Sequence, residues 1–102
     1  MYKIEYLPLA QRDMIDIVVY IIAKLKNPKA TFTLSDLFVA KANGLMEFPY
    51  RHGIYITLKP LKHEYRMIAV KKYNLFYWIE EKKQKVVIAR VIYGKRDFDE
   101  LL

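Results

Sequence analysis

The sequence contains no cysteine. Disulfide bonds, thiolate metal sites and cysteine nucleophiles are therefore excluded, and we expect the chain to work in the reducing cytoplasm. Glycine is also scarce, with three residues in 102, whereas 54% of the residues are hydrophobic and 15% are aromatic, nine of them tyrosines. This composition is typical of a packed protein rather than a disordered one. The length suits one domain that spans residues 1–102.

Long apolar runs are missing as well. No stretch of the sequence approaches the roughly 18 apolar residues of a membrane-spanning helix, and residues 1–6 alternate apolar and charged side chains instead of forming a signal core. We expect no membrane partner. The two histidines, His52 and His63, lie eleven residues apart without the short spacing of a helical ligand pair, so we expect neither a metal nor a cofactor.

Positive charge is present in excess, and the net charge is +7. Residues 1–48 contain six Lys and Arg against five Asp and Glu, whereas residues 49–102 contain twelve against six. A basic second half favours a polyanionic partner, either a nucleic acid or an acidic protein segment, because opposite potentials speed encounter. The alternative is a basic surface that serves only to keep the protein dissolved.

The first half of the chain is predicted to form a strand and two helices. Apolar and charged residues alternate over residues 2–6, as in a strand with one buried face. Pro8 suits the first turn of a helix, and apolar positions then recur at helical spacing as far as Leu25. Asn27–Pro28 ends this helix and begins a second one, which stops before Phe48–Pro49. The break is short, so we expect a helix hairpin.

The second half is predicted to be mainly strand. Residues 65–71, 73–80 and 85–93 are rich in Val, Ile, Tyr and Phe, and a further short strand is expected near residues 54–58. Val86–Ile88 runs without alternation, which indicates a central strand or one covered on both faces. The order predicts an α+β domain of a strand, a two-helix hairpin and three to four antiparallel strands. The helices would pack on one sheet face and leave the other face for a partner.

Three segments of the second half resemble the RelE/ParE toxins of type II toxin–antitoxin systems. The segments read YRMIAV at residues 65–70, YNLFY at 73–77 and IARVIYGKRD at 88–97, and their order and spacing make the resemblance. The resemblance implies a toxin that is held inactive by a cognate antitoxin, in a hetero-oligomer in which an extended antitoxin tail wraps the helix hairpin and the sheet.

Two activities are implied by this resemblance. RelE-like members cleave mRNA on the ribosome, whereas ParE-like members, including those of plasmid-stabilisation systems, inhibit DNA gyrase. Arg96 matches a cationic position, but Asn74 stands where RelE-like members carry a phosphate-binding arginine, and Leu102 stands where they carry a tyrosine acid. These departures favour a ParE-like toxin without enzymatic activity. A ribosome-dependent endoribonuclease and a non-toxic basic nucleic-acid-binding module are the alternatives.

Candidate site residues follow from their chemistry and position. If the protein cleaves RNA, proton transfer and charge stabilisation would fall to basic residues, a histidine and a late tyrosine, and these candidates are Arg66, Arg96, Tyr93 and His63. Residues expected to contact the target or a nucleic acid are all cationic, and these are Arg66, Lys71, Lys72, Arg90, Lys95 and Arg96.

Some candidates have a second interpretation. Arg90 interrupts an apolar strand and appears in phase with Val86, Ile88 and Ile92, so either a helix carboxylate holds it or it lies on a functional sheet face. Tyr93 is expected either to replace the missing acid or to pack at a strand end. His63 and Glu64 would form an acid–base pair if both faced Arg66 across a cleft.

Overall fold

A computed structural model describes residues 1–26, 28–57, 59–94 and 98–102 of the chain. The α+β order expected from the sequence is confirmed, and two 3₁₀ turns and a short C-terminal helix are added to it. The elements are β1 (Lys3–Tyr6), α1 (Pro8–Leu25), α2 (Pro28–Asn43), a 3₁₀ turn (Gly44–Met46), β2 (Arg66–Val70), β3 (Tyr73–Glu80), a second 3₁₀ turn (Glu81–Lys83), β4 (Lys85–Tyr93) and α3 (Phe98–Leu101).

Local chemistry explains where α1 begins and ends. Pro8 occupies the first helical turn, where its missing N–H and fixed φ carry little cost. At the other end, Lys26 adopts a left-handed φ of 50°, and its N–H donates to the Ile22 carbonyl at 2.9 Å. This geometry ends the helix and satisfies one of its last carbonyl groups. None of the helices in the described ranges is long and apolar enough to cross a membrane.

The sheet has the strand order β1-β4-β3-β2. β2, β3 and β4 are antiparallel neighbours, as predicted, whereas β1 runs parallel to β4 along its outer side. β4 is therefore an interior strand, and Val86, Val87 and Ile88 are at most 1% exposed. The prediction that this apolar run is central is confirmed.

The helix hairpin covers one face of the sheet, as predicted. Ala10 of α1 and Phe38 and Ala42 of α2 are buried against alternate residues of the strands. The strand residues of this first core are Ile68, Val70, Leu75, Tyr77, Val86, Ile88 and Val91.

The opposite face of the sheet has its own core, so the expectation that this face is left for a partner is wrong there. β3 is apolar on both sides, with Phe76 and Trp78 pointing away from the hairpin, and this surface needs cover of its own. The segment before β2 and the C-terminal helix α3 supply it. The covering residues include Tyr55, Leu61, Phe98, Leu101 and Leu102.

A β-bulge in β4 changes which way its later side chains point. Phe76 pairs with Arg90 and Tyr77 pairs with Ile88, so Ala89 has no partner across the ladder. Val86 and Ile88 consequently face the hairpin core, whereas Ile92 packs in the second core. The predicted phase of Arg90 with Val86 and Ile88 is therefore wrong, because one extra residue separates them.

The region before β2 contains less strand than predicted. Ile54 forms an isolated antiparallel bridge with Arg66, and Tyr55 N–H donates to the Tyr65 carbonyl at 2.8 Å. Residues 55–57 are not part of a ladder, and Leu58 lies outside the described residues. The segment reaches across the sheet face instead of extending the sheet.

Candidate functional site

Apart from Arg90, which lies inside β4, the predicted site residues that the structure describes lie at two separate ends of the sheet. His63 and Arg66 are found where β2 begins, whereas Lys71 and Lys72 form the turn at its other end. Tyr93 joins the second group, because β4 ends beside that turn and Gly94 N–H donates to the Lys72 carbonyl at 2.7 Å. Lys95 and Arg96, which follow directly in the sequence, lie outside the described residues.

Arg66 is fixed in place at the first end. Its side chain is only 14% exposed, its Nη1 donates to the His52 carbonyl at 2.7 Å, and its guanidinium carbon lies 5.0 Å from the centre of the Tyr50 ring. Glu64 approaches its Nη2 at 4.0 Å. A guanidinium held at several points presents its remaining N–H groups in one direction.

His63, Glu64 and Arg66 line one cleft of about 140 Å³, together with Tyr50, Trp78 and Ile79. The His63 ring stacks on Trp78 at 3.7 Å with an angle of 2° between the planes. Burial, with a contribution from Lys62, lowers the pKa of His63 below its usual value. The lowered pKa favours the neutral imidazole, and one face of the ring lies against Trp78. Across the described ranges, no group of three or more metal-ligating side chains converges.

The wall of this cleft is anchored by a carboxylate that sequence reasoning missed. Tyr2 donates its hydroxyl to both oxygens of Glu81, at 2.7 and 2.8 Å, and Tyr50 donates to the same carboxylate. The hydrogen bond to Glu81 raises the pKa of Tyr50 to about 12. Residues from three distant parts of the chain are tied together here, and no local sequence pattern signals it.

The second end of the sheet contains a small apolar notch. It has a volume of about 270 Å³ and is lined by Thr33, Leu34, Leu37, Lys71, Lys72 and Tyr73. Both lysines are exposed, and no carboxylate of the described residues lies within 4.0 Å of either ammonium group. Lys71 also has a φ of 56°, a left-handed conformation that Gly or Asn adopts more easily.

A larger groove of about 500 Å³ lies between α1 and the end of β4. Tyr93 is half exposed on its wall, and its ring meets Tyr73 edge-on with the centroids 5.4 Å apart. Tyr20 and Asp16 line the α1 side. Tyr93 therefore packs at a strand end, as one interpretation of the sequence expected. The role of its hydroxyl as an acid stays a prediction.

Arg90 is held by a helix carboxylate, as one of the two interpretations of the sequence expected. Its Nε and Nη2 donate to the two oxygens of Asp13 at 2.8 and 3.0 Å, and its Nη1 donates to the Leu101 carbonyl at 3.0 Å. The side chain is 20% exposed. Arg90 therefore joins α1, β4 and α3, and little of its charge is left for a target.

The two positions that depart from the RelE-like pattern have structural roles. The Asn74 amide nitrogen donates to the Gly94 carbonyl at 2.7 Å, which ties β3 to the end of β4. Leu102 packs among the apolar residues of the second core. Neither side chain offers a positive charge or an acidic proton.

Several other cations are paired with acidic residues. Lys59 pairs with Glu100, and Lys85 lies 3.2 Å from Glu5 and 3.7 Å from Glu80. Helix α1 presents a different kind of surface, because Ile15, Val19 and Ile22 follow one another at helical spacing on its outer side and are 61%, 60% and 45% exposed. An apolar stripe of this kind is typical of an interaction surface.

Comparison with protein families gives one match over most of the chain. Residues 4–98 match the family described as ParE toxin of type II toxin–antitoxin system, parDE. Among curated proteins, none matches the sequence.

Solved structures of toxins have the same fold. A structure of the chromosomal ParDE system of P. aeruginosa has a TM-score of 0.75 at 11% identity, covering 93% of this chain and 98% of that one. The RelBE2 toxin–antitoxin complex of Mycobacterium tuberculosis has a TM-score of 0.58 at 25% identity, with 90% and 96% covered. The isolated E. coli RelE toxin has a TM-score of 0.59 at 17% identity, with 99% and 95% covered.

Proposed function

This chain belongs to the ParE toxin family of type II toxin–antitoxin systems, and we propose that, when free, it arrests growth by inhibiting DNA gyrase in the cytoplasm. A cognate antitoxin neutralises it in a hetero-oligomeric complex. The protein is a binding inhibitor in this proposal, so it needs a surface that recognises its target and no catalytic centre.

The proposal of gyrase as the target is supported by the structural roles of Asn74 and Leu102, which occupy two positions that RelE-like toxins use for cleavage. Cleavage of RNA through its 2′-hydroxyl needs a base, a cation at the phosphate and an acid for the leaving oxygen. The amide nitrogen of Asn74 donates to the Gly94 carbonyl, and Leu102 is part of an apolar core. Neither side chain can therefore act as the cation or the acid. Arg90, a further cation of the same strand pair, is neutralised by Asp13.

The antitoxin partner is supported by the exposed apolar stripe on α1 and by the relatives. The M. tuberculosis structure is a toxin–antitoxin complex. A partner helix or strand that covers the exposed side chains of Ile15, Val19 and Ile22 would remove apolar surface from water, which stabilises the complex. The net charge of +7 favours an acidic partner.

Two assays on the purified protein test the target. We expect the free protein to block supercoiling of relaxed plasmid by gyrase and to leave mRNA on translating ribosomes intact. The matched control is the Lys82→Ala variant, which alters an exposed cation that is not among the predicted site residues and should inhibit equally. Cleavage at the ribosomal A site without an effect on gyrase would overturn the proposal.

The RelE-like alternative has one observation in its favour, the cleft that brings His63, Glu64 and Arg66 together. If the protein cleaves mRNA, His63→Gln should abolish cleavage while the fold survives. The non-toxic alternative predicts that expression without the antitoxin leaves growth unaffected.

A further inference from the structure

We propose that the notch between α2 and the β2–β3 turn is a docking site for an acidic peptide segment that inserts one aliphatic side chain. The inference deepens the proposed function and rests on it, since we expect this segment to belong to the antitoxin. The notch is the surface lined by Thr33, Leu34, Leu37, Lys71, Lys72 and Tyr73.

The floor of the notch suits an aliphatic side chain. Leu34 and Leu37 are half buried and packed against the hairpin core, so their outer carbon atoms face the opening. The Thr33 hydroxyl donates to the Lys29 carbonyl at 3.0 Å and is already satisfied. A volume of about 270 Å³ accepts a leucine or isoleucine side chain, and burying it removes apolar surface from water on both sides.

The rim of the notch suits carboxylates. Lys71 and Lys72 are exposed, and no carboxylate within the part of the chain that the structure describes lies within 4.0 Å of them. The hydrogen bond from Gly94 to the Lys72 carbonyl fixes the turn. Lys26 and Gln84 share the positive φ of Lys71, so strain alone marks no site. At Lys71 the strained lysine stands beside an apolar notch, where its charge is available to a partner.

An acidic peptide fits this surface better than a nucleic acid does. Phosphates would use the two lysines but would leave the leucine floor exposed. Base stacking would need the Tyr73 ring, which Phe38 and Tyr93 already contact edge-on at 5.6 and 5.4 Å. A segment with one aliphatic residue between carboxylates uses both parts of the notch.

The test is a nuclear magnetic resonance titration of the full chain with the peptide acetyl-Glu-Asp-Leu-Asp-Glu-amide. We expect the amide signals of residues 33–37 and 71–73 to shift together. Replacing the central leucine of the peptide by alanine should weaken binding about tenfold, because most of the buried apolar surface is lost. Raising the salt from about 0.05 M to about 0.5 M should also weaken it, since the rim contacts are exposed charges.

Variants of the turn separate binding from folding. Lys71→Gly removes one cation and relieves the positive φ, so binding should weaken about threefold while the melting temperature stays level or rises. Lys71→Glu with Lys72→Glu should abolish binding. The matched control, Lys24→Glu with Lys82→Glu, makes the same change in net charge elsewhere and should keep affinity within about twofold.

The outcomes decide between the proposals. Peptide shifts confined to other residues, or no shift at all, would overturn the notch as a docking site. A short oligothymidine that moves the same amides at lower concentration than the peptide would overturn it in favour of a nucleic acid. Growth arrest by the unmodified protein is measured separately, and its absence would count against the toxin assignment while the titration still decides on the notch.

Discussion

Asp13 of α1 holds Arg90 of β4 through two hydrogen bonds and also accepts the N–H of Val91 at 2.9 Å. The pair lies beyond the last β1–β4 residue pair, Tyr6 with Ile88, where the outer side of β4 has no neighbouring strand among the described residues. One carboxylate therefore accepts a hydrogen bond at a strand edge and neutralises a largely buried cation. A sheet edge covered in this way is a poor template for pairing with another chain.

Removing this carboxylate should destabilise the fold. We expect Asp13→Ala to lower the free energy of unfolding by about 2 to 3 kcal/mol, because Arg90 and the Val91 N–H both lose their partner in a largely buried place. Urea unfolding measures the change. Asp16→Ala, one turn along the same helix at an exposed position, is the control and should cost less than about 0.5 kcal/mol. Equal effects of the two variants would contradict the prediction.

The Tyr77 hydroxyl is a second buried contact with a measurable value. It donates to the Pro49 carbonyl at 2.7 Å, and the side chain is fully buried. Tyr77→Phe leaves that carbonyl without its donor, and we expect a loss of about 1 to 2 kcal/mol in thermal or urea unfolding. Tyr20→Phe, at a position 60% exposed, should change stability by less than about 0.5 kcal/mol. A Tyr77→Phe variant as stable as the parent would contradict this prediction.

The stack of His63 on Trp78 predicts a pH dependence. Burial lowers the pKa of His63, so the unfolded chain, with a histidine pKa near 6.5, binds the proton more readily than the folded one. The contribution of His63 to stability is therefore complete above about pH 6.5 and is lost as the pH falls through the folded pKa. Trp78 is the single tryptophan of the chain, so its fluorescence reports on protonation of the ring stacked on it. An apparent pKa at or above 6.5, or a transition that persists in His63→Phe, would contradict this prediction.

Arg96 is predicted to contribute to toxicity whichever target the protein has. Its long cationic side chain in the Gly-Lys-Arg-Asp segment suits phosphates or acidic side chains. We expect Arg96→Ala to permit growth of cells that express the toxin without antitoxin, scored by colony counts at matched protein levels. Lys82→Ala is the control and should remain toxic. If Arg96→Ala cells stay arrested, Arg96 is not part of the functional surface.

Periodicity predicted the fold well because its main signals are local. The alternation in residues 2–6, the proline at position 8 and the β-rich segments each specify an element through contacts within a few residues. The two-sided cover of β3 was harder to predict, because the residues that cover Phe76 come from α3 and from the segment before β2. Neither segment has a strong pattern of its own.

The site could be predicted only in part, for two physical reasons. The bulge at Ala89 inverts the alternation, so the predicted direction of Arg90 was wrong while its carboxylate partner was anticipated. The shared contacts of Glu81 with Tyr2 and Tyr50 join residues 31 and 79 positions away from it. Any tyrosine and any glutamate of the chain could form such a hydrogen bond, so the sequence does not predict which ones do. The contact is set by the tertiary fold.

The place of β4 in the sheet has a consequence for biosynthesis. This strand lies between β1 and β3 but follows both in the sequence, so β1 has no strand to pair with until residues 85–88 have been synthesised. Pairing over such a sequence distance forms late. The sheet therefore cannot be completed until β4 has emerged from the ribosome. The growing chain is inactive during this interval.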